Sequence, residues 1–333
     1  MSKQVCYDAM RFSRGGGGFV ARDMIPHGVR SPVRTVYRTI DSDITNGELV
    51  FWTTCGPTTT FDPKITGVAG TWYFDDGTTI SAASGAEISK TFAAEGLHRA
   101  VYRPVGGLAS ITEIDFRTDL ITNFRDSWRL GNCTSYTPRD NSCAVVLSQL
   151  PPKITSLDGT LCTNVVGTPS DILRSCTANV ALSISNVSGD IAGFPNSYSI
   201  YAYQCAGLFG SVSDVGGDNC RTIYLHLCPG ITTGSIAHLT AIRDIRIYSM
   251  GWLTADVDTV LLSIANAIVA DPNHFTYATP SLQIGGTNEA PSGTYQEPTG
   301  PGGTPTSGLE AVWIMTHNTG HTWTVAATGG SYP

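Results

Sequence analysis

Short runs of alternating apolar and polar residues, separated by turn residues, make up most of the chain. Alternation with a period of two predicts strands that are buried on one face. The sequence Asp-Asp-Gly-Thr at positions 75–78 predicts a turn between two such strands. We therefore expect residues 46–108 to form a small β-sandwich. Its predicted strands lie at positions 49–52, 71–74, 88–92 and 98–102.

Two segments of this region carry a family resemblance. Residues 72–77 read Trp-Tyr-Phe-Asp-Asp-Gly, and residues 91–96 read Thr-Phe-Ala-Ala-Glu-Gly. Together they resemble the PKD-type immunoglobulin-like domain, which has a Trp-x-Phe-Gly-Asp-Gly strand and turn, then a Tyr-x-x-x-Gly turn into a last strand. The chain departs from that pattern at Asp75, where the family usually has Gly, and at Phe92, where it usually has Tyr. The resemblance implies a spacer or interaction module and not a catalyst.

A repeat follows between positions 109 and 285. Its glycines are 22, 21 and 24 residues apart, and they are Gly167, Gly189, Gly210 and Gly234. The last three are each followed two residues later by a β-branched residue, namely Ile191, Val212 and Ile236. Short alternating runs accompany them at 111–116, 182–184, 200–202, 225–227, 245–247 and 282–284. A fixed period of this length is typical of a solenoid, in which each coil's apolar edge is covered only by the next coil.

The repeat unit resembles a leucine-rich repeat, because an alternating Leu-x-Leu strand is followed by a turn and a Gly-x-Ile element. The Asn or Cys ladder usual in that family is only partly present. The resemblance implies an LRR-like solenoid of about six coils.

Two helices are predicted. Asp256 is suited to cap a helix that ends before Asp271-Pro272. Its apolar residues recur at helical spacing, and they are Val257, Val260, Leu261, Ile264 and Ile268. A shorter helix is indicated by Leu120, Phe124 and Trp128. Beyond a loop at 297–308, positions 311–315 and 322–325 predict a β-hairpin that caps the last coil, as a solenoid end requires.

The expected fold class is mainly β: a small PKD/Ig-like β-sandwich and an LRR-like solenoid, with few short helices and a C-terminal β-hairpin cap. The four predicted segments are an extended basic arm at 1–45, the sandwich at 46–108, the solenoid at 109–285, and a loop with the capping hairpin at 286–333. Composition agrees, because 14% of the 333 residues are charged, against about 25% in an average globular protein. So few charges argue against long solvated helices. A neutral surface of Thr, Ser, Asn and Gly is typical of β-rich extracellular or virion proteins.

Charge is unevenly distributed along the chain. The formal net charge is −7, but residues 1–40 alone carry seven basic and two acidic side chains, so the remainder carries −12. A basic arm on an acidic body favours docking on an acidic partner, although a solvated N-terminal tail would have the same composition. The docking role is assigned to six arginines of the arm: Arg11, Arg14, Arg22, Arg30, Arg34 and Arg38.

The sequence predicts a protein that is not an enzyme and that holds no metal and no cofactor. Its nine cysteines form no CxxC pair and are interpreted mostly as small buried hydrophobes. His317 and His321 are four residues apart, but they are interpreted as part of a hairpin turn. No Gly-x-Ser-x-Gly, P-loop or His-Glu-x-x-His motif occurs.

Tyrosines in the repeated strands indicate recognition instead of catalysis. Alternate strand residues of a solenoid line one exposed face, where a tyrosine can stack on a sugar or anchor a protein. The alternative is that these side chains fill the solenoid interior. The candidate recognition face consists of Tyr201, Tyr203, Tyr224 and Tyr248.

These features favour a non-enzymatic structural protein of a phage virion: a tail or head fibre, an adhesin or a capsid decoration protein. No signal peptide and no apolar run of membrane-spanning length is visible, so we expect synthesis in the host cytoplasm. The arm would anchor the chain to other virion proteins, and the solenoid would face outward to bind a host cell-surface glycan or protein. A homo-oligomer, with a trimer as one option, is also expected, whereas nucleic acid is disfavoured as a partner. The alternative is a secreted bacterial cell-surface adhesion or carbohydrate-binding protein.

Overall fold

The computed structural model describes residues 47–116, 121–123, 130–139, 144–162 and 164–332. The basic arm predicted at 1–45, with all six of its arginines, lies outside the described residues. The described part forms many short strands and two α-helices, α1 (Thr254–Ala270) and α2 (Gly308–His317), so the prediction of a mainly β fold is confirmed. The strands are β1 (Leu49–Thr53), β2 (Lys64–Thr66), β3 (Gly70–Phe74), β4 (Thr79–Ala82), β5 (His98–Pro104), β6 (Glu113–Asp115), β7 (Ile121–Asn123), β8 (Ser135–Thr137), β9 (Ala144–Val146), β10 (Ser156–Asp158), β11 (Asn164–Val166), β12 (Asn179–Ala181), β13 (Ser188–Asp190), β14 (Ser199–Tyr201), β15 (Gly207–Ser211), β16 (Thr222–Tyr224), β17 (Ile231–Thr232), β18 (Asp244–Arg246), β19 (Ser281–Gln283), β20 (Thr324–Ala327) and β21 (Gly330–Tyr332).

An antiparallel sheet with the strand order β4-β3-β5-β1-β7 contains three of the strands predicted between residues 46 and 108. Trp72 on β3 is only 1% exposed. The centre of its ring lies 5.5 Å from that of Phe51 and 5.3 Å from that of Phe61. The fourth predicted strand, at 88–92, makes only isolated bridges, such as Phe61 with Lys90. The short strand β2 pairs with β6 and so continues into the sheet of the solenoid.

Parallel strands from successive coils build the second sheet, in the order β2-β6-β8-β10-β12-β14-β16-β18-β19-β20-β21. From β6 to β18 the central residues follow each other at intervals of 20 to 23 positions and pair in register. They are buried and apolar: Ile114, Tyr136, Leu157, Val180, Ile200, Ile223 and Ile245. This is a β-solenoid of about five turns, where about six coils were predicted.

A second set of parallel strands lies on another side of the coils. It forms a two-stranded sheet, β9-β11, and a three-stranded sheet, β13-β15-β17. The repeated glycines fall here, and Gly189 has a φ of +127°. The backbone conformation of Gly189 would strain any other residue, and a Cβ atom there would also crowd the preceding coil, 3.1 Å from the Cβ of Thr168. Ile191 and Val212, two residues after the second and third glycines, are buried as the repeat predicts.

In five coils the chain turns at a residue in the left-handed region of backbone conformation, four positions after the central strand residue. The five residues are Leu161, Ile184, Gln204, Leu227 and Ser249, with φ between +56° and +63°. This conformation is uncommon for residues other than glycine. It is held by coil-to-coil hydrogen bonds: the N–H of Leu161 donates to the carbonyl of Ser183 (2.9 Å), and that of Ile184 to the carbonyl of Tyr203 (2.9 Å).

Cysteines fill part of the solenoid interior. All seven described cysteines are buried, which confirms their interpretation as small core residues. The thiols of the six in the solenoid donate to backbone carbonyls, as Cys205 does to Leu182 (3.1 Å) and Cys228 to Ala202 (3.1 Å). Burial raises the pKa of Cys228 to about 12, so this thiol stays protonated and unreactive at neutral pH.

Helix α1 confirms the prediction made from residues 256–271, since its five predicted apolar residues are all buried. It begins two residues before Asp256, whose carboxylate accepts the N–H of Leu253 (3.1 Å) in the first turn. The shorter helix predicted through Leu120, Phe124 and Trp128 is wrong where it can be compared, because Ile121–Asn123 form strand β7. Those three residues themselves lie outside the described part.

The predicted strand at 311–315 is wrong, because these residues belong to helix α2. Ser307 caps the helix and accepts the N–H of Glu310 (3.4 Å), and the buried faces of α1 and α2 pack together. A C-terminal hairpin is present, but it consists of β20 and β21 and adds two strands to the end of the long sheet. His317 therefore ends a helix and does not lie in a hairpin turn.

A buried amide joins the end of the solenoid to the loop that precedes α1. Asn288 is 2% exposed, and its Oδ1 accepts the N–H groups of Met250 (2.8 Å) and Trp252 (3.2 Å). Its Nδ2 donates to the carbonyls of Ile247 (3.1 Å) and Ile284 (2.7 Å). One side chain thus satisfies four backbone groups.

Replacing Asn288 with Ala is expected to lower the free energy of unfolding by at least about 2 kcal/mol, since each buried group left without a partner costs about 1–3 kcal/mol. Denaturant unfolding followed by circular dichroism measures the change. Asn273→Ala is the matched control, because Asn273 is exposed, and its change is expected to stay within about 0.5 kcal/mol. Equal stability of the two variants would contradict this role of Asn288.

Candidate recognition surface

Aromatic side chains cover part of the outer face of the long sheet. In β14 and β16 the central Ile200 and Ile223 point into the core, so the next residues, Tyr201 and Tyr224, point outward. Two residues further along each of these coils, Tyr203 follows Tyr201 and His226 follows Tyr224, so they continue the same alternation.

Two aromatic rows run across the coils. In the first, the rings of Tyr201 and Tyr224 lie 4.9 Å apart edge to face, and the guanidinium of Arg246 lies 4.1 Å from the centre of the Tyr224 ring. In the second, His226 is stacked between Tyr203 (4.6 Å, 8° between planes) and Tyr248 (4.3 Å, 15°). These separations suit stacking, because neighbouring strands lie about 4.7–4.9 Å apart.

A carboxylate fixes the first row. Asp244 accepts hydrogen bonds from the Tyr224 hydroxyl, from Ser281 Oγ (2.7 Å) and from Arg246 (3.3 Å). Burial, followed by the hydrogen bond to Asp244, raises the pKa of Tyr224 to about 12. The phenol therefore remains a neutral donor, and its ring is held in one orientation.

An open pocket of about 250 Å³ lies beside the two rows. One wall is aromatic and consists of Tyr201, Tyr203 and Tyr224. The rest of the lining is small or polar: Arg139, Asp158, Thr160, Asn179, Ala181 and Ser183. The pocket thus offers ring faces on one side and hydrogen-bonding groups of both kinds on the other.

Three buried polar atoms at this surface have no hydrogen-bond partner among the described residues. They are the hydroxyl of Ser183, a fully buried residue that lines the pocket, Nδ1 of His226, a residue that is 7% exposed, and Nε of Arg246 in the first row. A buried polar group without a partner is costly. A ligand that supplied hydrogen bonds at these atoms would recover that cost.

The four tyrosines of the candidate recognition face lie together on this outer surface, each half-exposed. They do not fill the interior, which holds residues such as Ile200, Ala202 and Leu225 instead. Sequence reasoning missed His226, although its place between Leu225 and Leu227 in an alternating run was a usable signal. It also missed Arg246 and Asp244, since their role depends on Tyr224 in another coil.

The two histidines near the C-terminus, His317 and His321, form no comparable cluster and each bonds to a backbone carbonyl. A ring nitrogen of His317 donates to the carbonyl of Trp313 (3.0 Å), and one of His321 to that of Tyr277 (2.8 Å). Within the described residues, no group of three or more His, Cys, Asp and Glu side chains is placed to hold a metal ion. None of the helices described there is long and apolar enough to cross a membrane.

The pKa of His226 is expected to lie far below that of an ordinary histidine. Burial, followed by the nearby positive charge of Arg246, lowers its pKa from 6.5 to about 4. Between these values the unfolded chain binds more protons than the folded one, so this histidine makes stability fall as the pH drops from about 6.5 towards 4. NMR titration of the ring should show a neutral imidazole down to pH 5.

In Arg246→Gln the pKa of His226 should rise but stay below 6.5, because burial remains. Arg174→Gln, which removes an exposed arginine elsewhere, should leave it unchanged. A wild-type pKa near 6.5 would contradict the stacked, desolvated position of this ring.

Comparisons with protein-family models, curated proteins and solved structures found no match. The resemblances to PKD domains and to leucine-rich repeats therefore remain predictions. What can be said of function rests on the geometry of this sheet face.

Proposed function

We propose that this chain is a non-enzymatic structural protein of a phage virion, a fibre, adhesin or capsid decoration protein, whose solenoid binds a glycan of the host surface. The observation that carries the proposal is the aromatic face of the long sheet, with its pocket and its three unpartnered polar atoms. The basic arm is proposed to anchor the chain to other virion proteins.

Glycan binding is supported by the chemistry of the pocket. Sugar rings have apolar C–H faces that pack on aromatic planes, and Tyr201, Tyr203 and Tyr224 supply such planes. Sugar hydroxyls both donate and accept hydrogen bonds, which suits Asp158, Asn179 and the other polar groups of the lining. The volume of about 250 Å³ is close to the lower end of small-ligand sites, so the pocket is sized for one or two sugar rings.

The virion setting is supported by the thiols and by the charge distribution. Cys133, Cys176, Cys205, Cys220 and Cys228 of the solenoid are buried as free thiols, a state that fits folding in a reducing cytoplasm better than in a secretory compartment. Residues 1–40 are basic while the rest of the chain is acidic, which favours attachment through the arm.

The family assignments are part of the same proposal. A PKD-type identity for residues 46–108 is supported by the buried Trp72 within an antiparallel sheet. An LRR-type identity for the coils is supported by a parallel strand every 20–23 residues, with short 3-10 turns such as Pro169–Asp171 and Ile191–Gly193 behind it.

Replacing Tyr203 with Ala is expected to weaken glycan binding at least about tenfold, because removing a well-packed aromatic contact costs about 1–3 kcal/mol. The measurement is binding of the purified full chain to a glycan array, followed by calorimetry with an oligosaccharide that binds. Phe209→Ala is the matched control, since Phe209 is an exposed aromatic residue (53%) on β15, outside the long sheet. Absence of binding to every glycan, or an equal loss in both variants, would refute the proposed site.

Deletion of residues 2–30 is expected to abolish incorporation of the protein into phage particles, because it removes four of the six docking arginines. Density-gradient purification of particles, followed by immunoblotting, measures incorporation. Unchanged incorporation would show that the arm does not anchor the chain. Recovery of the wild-type protein from the medium, with no particles, would favour the secreted adhesion protein instead.

A further inference from the structure

Two arginines on adjacent coils face solvent at the start of β16 and β18, outside the pocket already described. Arg221 and Arg243 occupy equivalent positions, each two residues before the central isoleucine of its strand. The N–H of Arg243 donates to the carbonyl of Arg221 (2.8 Å), so the two residues are direct neighbours across the sheet. Both are exposed.

Each guanidinium is held against a tyrosine ring. The Arg221 guanidinium lies 4.6 Å from the centre of the Tyr198 ring, and that of Arg243 lies 5.3 Å from the centre of the Tyr277 ring. Stacking restricts the long side chains but leaves the N–H edges of the planar groups available for hydrogen bonds. The resulting order across the coils is tyrosine, arginine, arginine, tyrosine.

Neither arginine has a carboxylate within ion-pair distance among the residues that the structure describes. The nearest acidic residue along the chain from Arg243, Asp244, is already bonded to Arg246, Tyr224 and Ser281. Adjacent coils thus carry two exposed positive charges on a body whose sequence outside the arm is strongly acidic. An anionic group bound at this edge of the sheet would compensate them.

The arginine pair lies close to the aromatic rows. Arg221 precedes β16 and is three residues before Tyr224, a backbone separation of at most about 10 Å at roughly 3.3 Å per residue. Arg243 precedes β18 and stands in the same relation to Arg246. Because both arginines lie just outside their strands, the alternation within the strands does not turn them inward, and both are exposed.

We infer that Arg221 and Arg243 form a subsite for a carboxylate of an acidic glycan, so that the recognition face selects uronate- or sialate-containing sugars over neutral ones. This inference rests on the proposed glycan-binding function and adds the charge class of the ligand. A carboxylate has two oxygens in the spacing that a guanidinium matches bidentately, which an exposed lysine pair would not reproduce. Tyr198 and Tyr277 position the two groups and add apolar surface beside the charge.

The test uses an array of oligosaccharides in matched pairs, each uronate or sialate printed with its carboxyl-reduced neutral counterpart. The wild-type chain should bind the acidic members at least about tenfold more tightly, and this preference should shrink as salt is raised. The double variant R221Q/R243Q should lose the preference and bind both members of each pair equally. R174Q, which removes one exposed arginine elsewhere, should keep the preference.

The outcomes separate the two proposals. Equal binding of acidic and neutral sugars by the wild-type chain would overturn the carboxylate subsite and leave the glycan-binding face intact. An acidic preference that survives in R221Q/R243Q would also overturn the subsite. Absence of binding to any member would overturn both proposals. Loss of all binding in Tyr203→Ala, together with loss of only the acidic preference in R221Q/R243Q, would support both.

Discussion

The hydrogen bonds between parallel strands of successive coils are the interaction on which the rest of this structure depends. Each coil contributes only three residues to the long sheet, and those residues bond to the coil before and the coil after. Neighbouring strands are therefore held about 4.7–4.9 Å apart. Any side chain repeated at one position of the coil lies beside its counterpart, and this places Tyr203, His226 and Tyr248 in one stack.

The same bonds allow the coils to turn sharply. Residues such as Ile184 and Leu227 adopt a left-handed backbone conformation, which costs of order 1–3 kcal/mol for a residue other than glycine. Their N–H groups donate to the next coil, so the conformation persists because stacking supports it. A single coil has no such support, which is why solenoid stability is a property of neighbours. It also orders the aromatic face, since the first row lies on strands and the second row on residues that directly follow those strands.

Local pattern predicted much of this architecture. Alternation identified the strands around Ile200, Ile245 and Leu282, and spacing identified the helix from Val257 to Ile268. The alternating run at 225–227 lies just after strand β16. The wrong strand at 311–315 has an identifiable cause. The run at 311–315 is apolar at nearly every position, so its period does not distinguish a strand from a helix. Ser307 as the cap and the packing against α1 decide in favour of the helix.

The sequence by itself determined the repeat length, the alternating character of the strands and the residues of the first helix, because these follow from the order of side chains within one short segment. Only the tertiary structure decided which side chains touch across coils. The stacked position of His226, the network around Asp244 and the pairing of Arg221 with Arg243 each join residues about 20 or more positions apart. These contacts and the lowered pKa of His226 arise from through-space distance and loss of water, which a linear pattern does not encode.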